Sequence, residues 1–287
     1  MGGNNTIRCG GSVATNQYRA VLFDSDGVLV ERPDRQRLAA AVARAFAAFD
    51  LPDPSAADVR ALLAGNVDVF EPRCRRNGVD LRTFCRRTVR EVVRTQCGAF
   101  DRGVRSLYDD AGALHTLARR GLALGVVTNN HRRVVSVALR QSTLADRFEV
   151  VRGADFSPDG VRERKPSPHN LTAALATLDV DPSEALYVGD SDVDVLAAER
   201  AGVDSAFVRR SHRADYDLPV EPTYEVESLE ALPTLLDGTE PDAASAAPAL
   251  GRRFEVAAGR VRVHPSGAGR PDQGRVAAPP GTSLGTD

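Results

Sequence analysis

Asp24 and Asp26 stand two residues apart, directly after the apolar run Ala20-Val-Leu-Phe23 and directly before Gly27. A run of that length predicts a strand buried on both faces, as in a parallel sheet. Carboxylates at the end of such a strand are out of place in a core. They suit the crevice beyond the strand C-termini, where open α/β sheets bind ligands. With Gly27 letting the backbone turn, the two acids could hold a hard divalent cation, or one could act as a nucleophile. A plain Asp-Gly turn after a strand would use the same residues.

Chemically capable residues recur at later strand ends. Leu122–Val127 runs into Thr128-Asn129-Asn130, and Ala185–Val188 runs into Gly189-Asp190-Ser191-Asp192-Val193-Asp194. Between them Lys165-Pro-Ser-Pro opens a helix, with Pro168 near its first turn. Each has a plainer use. Thr128 and Asn129 could end a strand and cap a helix, Asp190 or Asp192 could be an N-cap, and Lys165 could be a solvated loop lysine. In a parallel sheet, however, these strand ends share one rim. Lys165 is also singular: of the 37 basic residues it is the one lysine, leaving 36 arginines. A lysine that survives such avoidance marks a place for a compact point charge rather than a wide planar fork.

The elements that must position these residues follow from periodicity. After Val30 the strand character stops. Pro33-Asp34 offers a helix start, and Leu38, Val42, Ala45, Phe46 and Phe49 recur at helical spacing. Ser55 can cap a second helix, and a long stripe including Phe84, Thr88 and Val92 marks another from Asp80. Residues 33–105 therefore read as an inserted helical block. From Ser106 strands and helices alternate, which implies right-handed crossovers and a parallel sheet. Residues 155–164 read as a polar loop. The expected fold class is α/β: a Rossmann-like three-layer core with a parallel sheet, residues 19–32 and 106–237, plus the helical insertion. Residues 1–18 read as a flexible leader. Residues 238–287, rich in Ala, Gly, Pro and Arg, read as a mostly disordered tail, with a short hairpin around Gly259.

Composition narrows the function. A net charge of -2 does not ask for nucleic acid or an anionic membrane. The apolar stretches are too short to span a bilayer, and no secretory signal is visible. The four cysteines form no CxxC pair, so a reduced, cytoplasmic chain without a zinc or disulfide framework is expected. His115, His131, His169 and His212 show no ligand spacing and read as surface or capping residues, with His169 the one near enough to the Lys165 loop to touch substrate.

Taken together, Asp24-Ser-Asp-Gly-Val, Val127-Thr-Asn, Lys165-Pro-Ser-Pro and Gly189-Asp-Ser-Asp-Val-Asp resemble the four ordered motifs of the haloacid dehalogenase superfamily. The helical block lies between the first and second, where that family carries a cap. The stretch from Gly189 to Gly202 is similar to the phosphoglycolate-phosphatase-like branch. The match covers about Arg19 to Leu236. Ser25 departs from the aromatic or apolar residue common there, and Val28 from the common Thr; neither removes an atom the chemistry uses.

The resemblance implies a Mg²⁺-dependent phosphatase of a small phosphorylated metabolite, phosphoglycolate or a sugar or nucleotide monophosphate, acting as a monomer or homodimer. Asp24 would attack phosphorus to form an aspartyl-phosphate. Asp26 would protonate the leaving alcohol and then deprotonate water. Asp24, Asp190 and the Asp26 backbone carbonyl would hold Mg²⁺. Thr128 and the Asn129 backbone amide would bind phosphate oxygens, Lys165 would offset their charge, and Asp194 would orient Lys165 or a metal-bound water. The block from Pro33 to Arg105 contains no lysine, which disfavours a phosphonate-cleaving relative, and the presence of Asp26 disfavours a dehalogenase. Two alternatives stay open: a sugar phosphomutase on the same core, and a non-catalytic phosphate- or metal-binding or signalling module. The arginines of the helical block could bind a second anionic group or form a solvated face.

Overall fold

A computed structural model describes residues 18–154, 158–237, 252–257 and 260–265. Strand β1 (Ala20–Phe23) is followed by four helices, α1 (Arg35–Ala47), α2 (Ala56–Ala64), α3 (Glu71–Arg76) and α4 (Leu81–Asp101). The α/β alternation then begins: α5 (Leu114–Arg119), β2 (Ala123–Thr128), α6 (Arg132–Arg140), β3 (Phe148–Gly153), α7 (Pro158–Arg162), α8 (His169–Leu178), β4 (Ala185–Gly189), α9 (Asp192–Ala201), β5 (Asp204–Val208), β6 (Tyr224–Val226) and α10 (Leu232–Leu236). Two further strands, β7 (Arg252–Ala257) and β8 (Arg260–Pro265), complete the described chain.

The six strands β3-β2-β1-β4-β5-β6 lie side by side in that order and all run parallel. The alternation of a strand puts Val21 and Phe23 on one face and Ala20 and Leu22 on the other. Both faces are covered. Leu114, Val134, Ala138 and Leu232 pack against the first, and Leu171, Leu175 and Ala198 against the second. That double cover is why β1 is apolar throughout and fully buried. The three-layer core is therefore the α/β architecture expected from the alternation of elements.

Register sets the rim. Phe23 lies opposite Val126 on β2 and Val188 on β4. The chain order also reverses at β1, with β2 and β3 on one side and β4 to β6 on the other. Asp24 thus emerges at the switch point of the sheet, where an open crevice forms.

Helices α1 to α4 enclose a separate apolar cluster. The rings of Phe46, Phe70 and Phe84 meet at centroid distances of 5.1 to 6.0 Å, with Leu38, Leu62 and Val92 around them. Local signals start these helices. Asp34 caps α1, Ser55 caps α2 with Asp58 returning the bond, and Asp80 caps α4.

The structure departs from the sequence reading in one place. Residues 155–164 are not loop throughout, since α7 forms within them. Ahead of α5, Asp109–Ala113 forms a 3₁₀ turn, whose carbonyls bond in a tighter register. Within the stretch read as a disordered tail, β7 pairs parallel with β6 and antiparallel with β8, forming the expected hairpin. Gly259 and the rest of that stretch beyond Asp237, like residues 1–17 of the expected leader, lie outside the described residues. No helix among the described residues is long and apolar enough to cross a membrane.

One ion pair locks the loop after β5 to the core. Arg210 donates to both oxygens of Asp110, at 2.6 and 2.9 Å, and to the carbonyl of Val28. Asp110 also accepts from the Ser228 hydroxyl and the Leu229 amide. Burial works to raise the Asp110 carboxyl, but these donors outweigh it and hold it below the usual range. A depressed carboxyl adds stability above its unfolded pKa and loses it as pH falls through the folded one. Asp110→Asn should therefore cost about 3 kcal/mol in urea denaturation at pH 7. The gap to wild type should close below about pH 4. A gap that stays constant down to pH 2 would mean the pair contributes no such linkage.

Candidate active site

The rim gathers residues from four separate segments. Lys165, ahead of α8, sends its ammonium group to 2.8 Å from Asp24 Oδ1, 2.6 Å from Asp194 Oδ1 and 2.7 Å from the Tyr187 hydroxyl. The ammonium donates hydrogen bonds to Asp194 and Tyr187, and its contact with Asp24 is an ion pair. Tyr187 in turn donates to the carbonyl of Val127 on β2. The Lys165 side chain is 3 % exposed. Burial would lower its pKa, but Asp194 and Asp24 outweigh burial and hold it well above the usual range.

Each neighbour is held in turn. Asp194, in the first turn of α9, accepts from the backbone amides of Asp190 and Ser191 and from the Ser191 hydroxyl with its second oxygen. Both of its oxygens are therefore committed. Asn129 turns its side chain to Lys165. Its side chain bonds the backbone of Lys165 in both directions, donating at 3.0 Å and accepting at 2.8 Å. Thr128 is buried at the end of β2, where its hydroxyl accepts from the Asn130 amide. Two glycines make the packing feasible. A Cβ on Gly27 would come within 2.3 Å of Asp190 Oδ2, and one on Gly189 within 2.2 Å of Asp194 Cβ. Gly27 also has φ +87°, which other residues rarely adopt.

Electrostatics make the site a place for a cation. Carboxylate oxygens of Asp24, Asp190 and Asp194 all lie within 4.8 Å of one another. Lys165 supplies the positive charge nearest Asp24 and Asp194. Burial raises the Asp24 carboxyl to about 7, with Asp194 and Asp190 adding to the rise and Lys165 opposing it. Hard oxygen donors with excess negative charge fit Mg²⁺. Asp194 is taken up by Lys165 and the amides of Asp190 and Ser191; Asp24 and Asp190, the latter also contacted by His212 and Arg213, are the side chains that could hold a cation.

Asp26 faces the other way. Its carboxylate accepts from Arg105 at 2.6 Å and from Asn130 at 2.8 Å. Arg105 also donates to the carbonyl of Glu31 and to Gln96, and Gln96 exchanges hydrogen bonds with Asn130. Glu31 and Arg105 lie on the two connections between sheet and helical block, and Gln96 lies on α4. The Asp26 carboxylate is thus tied to both connections.

Sequence reasoning missed Tyr187, Asn130, Gln96, Arg105 and His212. Tyr187 had a signal, because a tyrosine in a buried strand needs a partner for its hydroxyl. Asn130 directly follows the Thr-Asn pair. Arg105 and Gln96 had none. His212, read as a surface or capping residue, is exposed, and its Nε2 also lies 2.7 Å from Asp190 Oδ2, on the loop that Arg210 anchors. His131 does cap α6, accepting from the Arg133 amide. His169 is half exposed and lies 3.5 Å from Glu163, away from the rim carboxylates.

Known proteins agree with this architecture. Residues 18–202 match the family model of the haloacid dehalogenase-like hydrolases. Phosphoglycolate phosphatase 1 of Pseudomonas aeruginosa is 29% identical over 224 residues, covering 76% of this chain and 80% of that protein. A phosphoglycolate phosphatase of Salmonella choleraesuis is 32% identical over 206 residues, covering 65% of this chain and 79% of that one. Among solved structures, a predicted phosphoglycolate phosphatase of Haemophilus somnus superposes with a TM-score of 0.55 at 22% identity, covering 76% of this chain and 98% of the other. The chain belongs to the haloacid dehalogenase-like hydrolases.

The Lys165 cage leaves little room. A guanidinium is wider and cannot present three protons to one point. Lys165→Arg should lower phosphatase turnover by about 10²-fold or more while the protein still folds. Turnover within a few-fold of wild type would show that the site needs only a positive charge.

Proposed function

We propose that this hydrolase is a Mg²⁺-dependent phosphatase of small phosphorylated metabolites, with phosphoglycolate the first candidate. The observation that carries the reading is the meeting of Asp24, Asp190 and Lys165 at the C-terminal end of the central strand. Asp24 is the nucleophile, and forms an aspartyl-phosphate as the alcohol leaves. Lys165 offsets charge where phosphate and carboxylates crowd together. Thr128 and the Asn129 amide bind phosphate oxygens. Asp24, Asp190 and the Asp26 carbonyl hold Mg²⁺, which when bound neutralises phosphate charge. Asp194 orients Lys165. The relatives named phosphoglycolate phosphatase support that substrate as the first to test.

Asp26 is the acid and base. It protonates the leaving oxygen and then takes a proton from the attacking water. Arg105 and Asn130 hold its carboxylate at a fixed distance from the rim. Arg105 is thus a positioning residue for proton transfer.

Phosphate release from a panel of phosphorylated metabolites tests the first part. Release should require Mg²⁺, stop with chelator, and fall by about 10³-fold or more in Asp24→Asn. Metal-independent release, or an active Asp24→Asn, would sink the mechanism. The second part is read from the leaving group. Asp26→Asn and Arg105→Ala should slow alkyl phosphates by about 10²-fold and 4-nitrophenyl phosphate only a few-fold, because nitrophenolate leaves without a proton. Equal losses on both substrates in Arg105→Ala would make its role purely structural.

A further inference from the structure

A groove of about 920 Å³ runs between α1, α4 and the start of α6, apart from the catalytic rim. Seven of its fifteen lining residues are arginine, against 36 of 287 in the whole chain. The arginine bias of the sequence therefore does not account for the groove. Its one lining carboxylate is Asp101. Arg86, Arg90, Arg102 and Arg133 are exposed there, and among the described residues none is ion-paired to a carboxylate.

The wall is pre-organised from beneath. Glu91, with 1 % of its side chain exposed, holds Arg44 at 3.2 Å, Arg87 at 3.2 Å and Arg94 at 2.6 Å. One buried carboxylate is thus shared by three guanidinium groups, and Arg44 and Arg94 turn their surplus charge to the groove. Val89 and Val93 line an apolar strip beside them. The groove is walled off from the chemistry by one residue. Thr95 and Cys97 line it, while Gln96 between them turns to Asn130 and Arg105.

We propose that this groove binds a small polyphosphorylated molecule. Its volume lies in the range of small-ligand sites. Guanidinium forks match phosphate oxygens in pairs. Several cations facing one another across a partly apolar groove repel until an anion lies between them. Arg133 comes from the sheet-flanking α6 and the other arginines from the helical block, so an occupant bridges the two.

Inorganic tripolyphosphate, titrated calorimetrically into the full chain at low ionic strength, tests the site. One binding event is expected, with wild-type affinity in Asp24→Asn. It should weaken about tenfold or more in Arg90→Gln/Arg133→Gln. Arg82→Gln, an exposed change on α4 outside the groove, should leave it unaltered. Thermal melts check that each variant is folded, and Arg90→Gln alone serves if the double variant is not. Absence of binding, or equal affinity in wild type and the groove variant, overturns the proposal. So does equal weakening in Arg82→Gln, which would mean diffuse attraction, or binding that vanishes in Asp24→Asn, which would place the anion on the catalytic rim. Binding of polyglutamate without tripolyphosphate would assign the groove to an acidic peptide instead and equally overturn it.

Discussion

One buried ammonium group holds the rim together. Lys165 meets Asp24 from β1, Asp194 from α9 and Tyr187 from β4, and Tyr187 continues to the backbone of β2. Without that charge, two buried carboxylates would face each other with no cation between them, and burial alone would drive one to take up a proton. The glycines, the α9 amides bonded to Asp194 and the Asn129 clamp on the Lys165 backbone all hold this arrangement in place. The site is rigid because its charges are satisfied by elements that are themselves buried on both faces.

A second hub lies on the opposite side of the same loop. Arg105 and Asn130 bond Asp26, and Gln96 bonds both of them; these hydrogen bonds join the sheet to the helical block beside apolar packing by Val93 and Phe100 of α4, which belong to the cluster on one face of the sheet. The helical block also has its own aromatic core. Polar contacts at such a junction can exchange with water at modest net cost, whereas the two apolar cores cannot. The Asp26 carboxylate and the junction therefore share the same bonds.

Family membership explains the rim better than it explains the substrate. The rim handles phosphate, which every candidate substrate shares. What distinguishes substrates is the remainder of the molecule, which the rim residues do not address. In the helical block the arginines largely serve one another's geometry: Arg73 pairs with Asp58, Arg75 with Glu71, and Arg44, Arg87 and Arg94 with Glu91. Many of the helical block's arginines are thus paired within it or line the groove with α6.

Sequence alone determined the strands, the parallel sheet and the residues that end them. A double-covered strand must be apolar along its whole length, so a polar residue directly after one stands out, and Asp24, Thr128 and Asp190 were all legible that way. The lone lysine was legible from composition. Tertiary structure decided which partners those residues have. Arg105 reaches Asp26 across 79 positions of the chain, and Gln96 reaches Asn130 across 34. His212 reaches Asp190 because an ion pair 100 residues long in sequence, Arg210 to Asp110, anchors its loop. Local spacing cannot encode such meetings. They arise when strands of fixed register bring loops together at one rim, and a surface-like residue becomes a site residue only there.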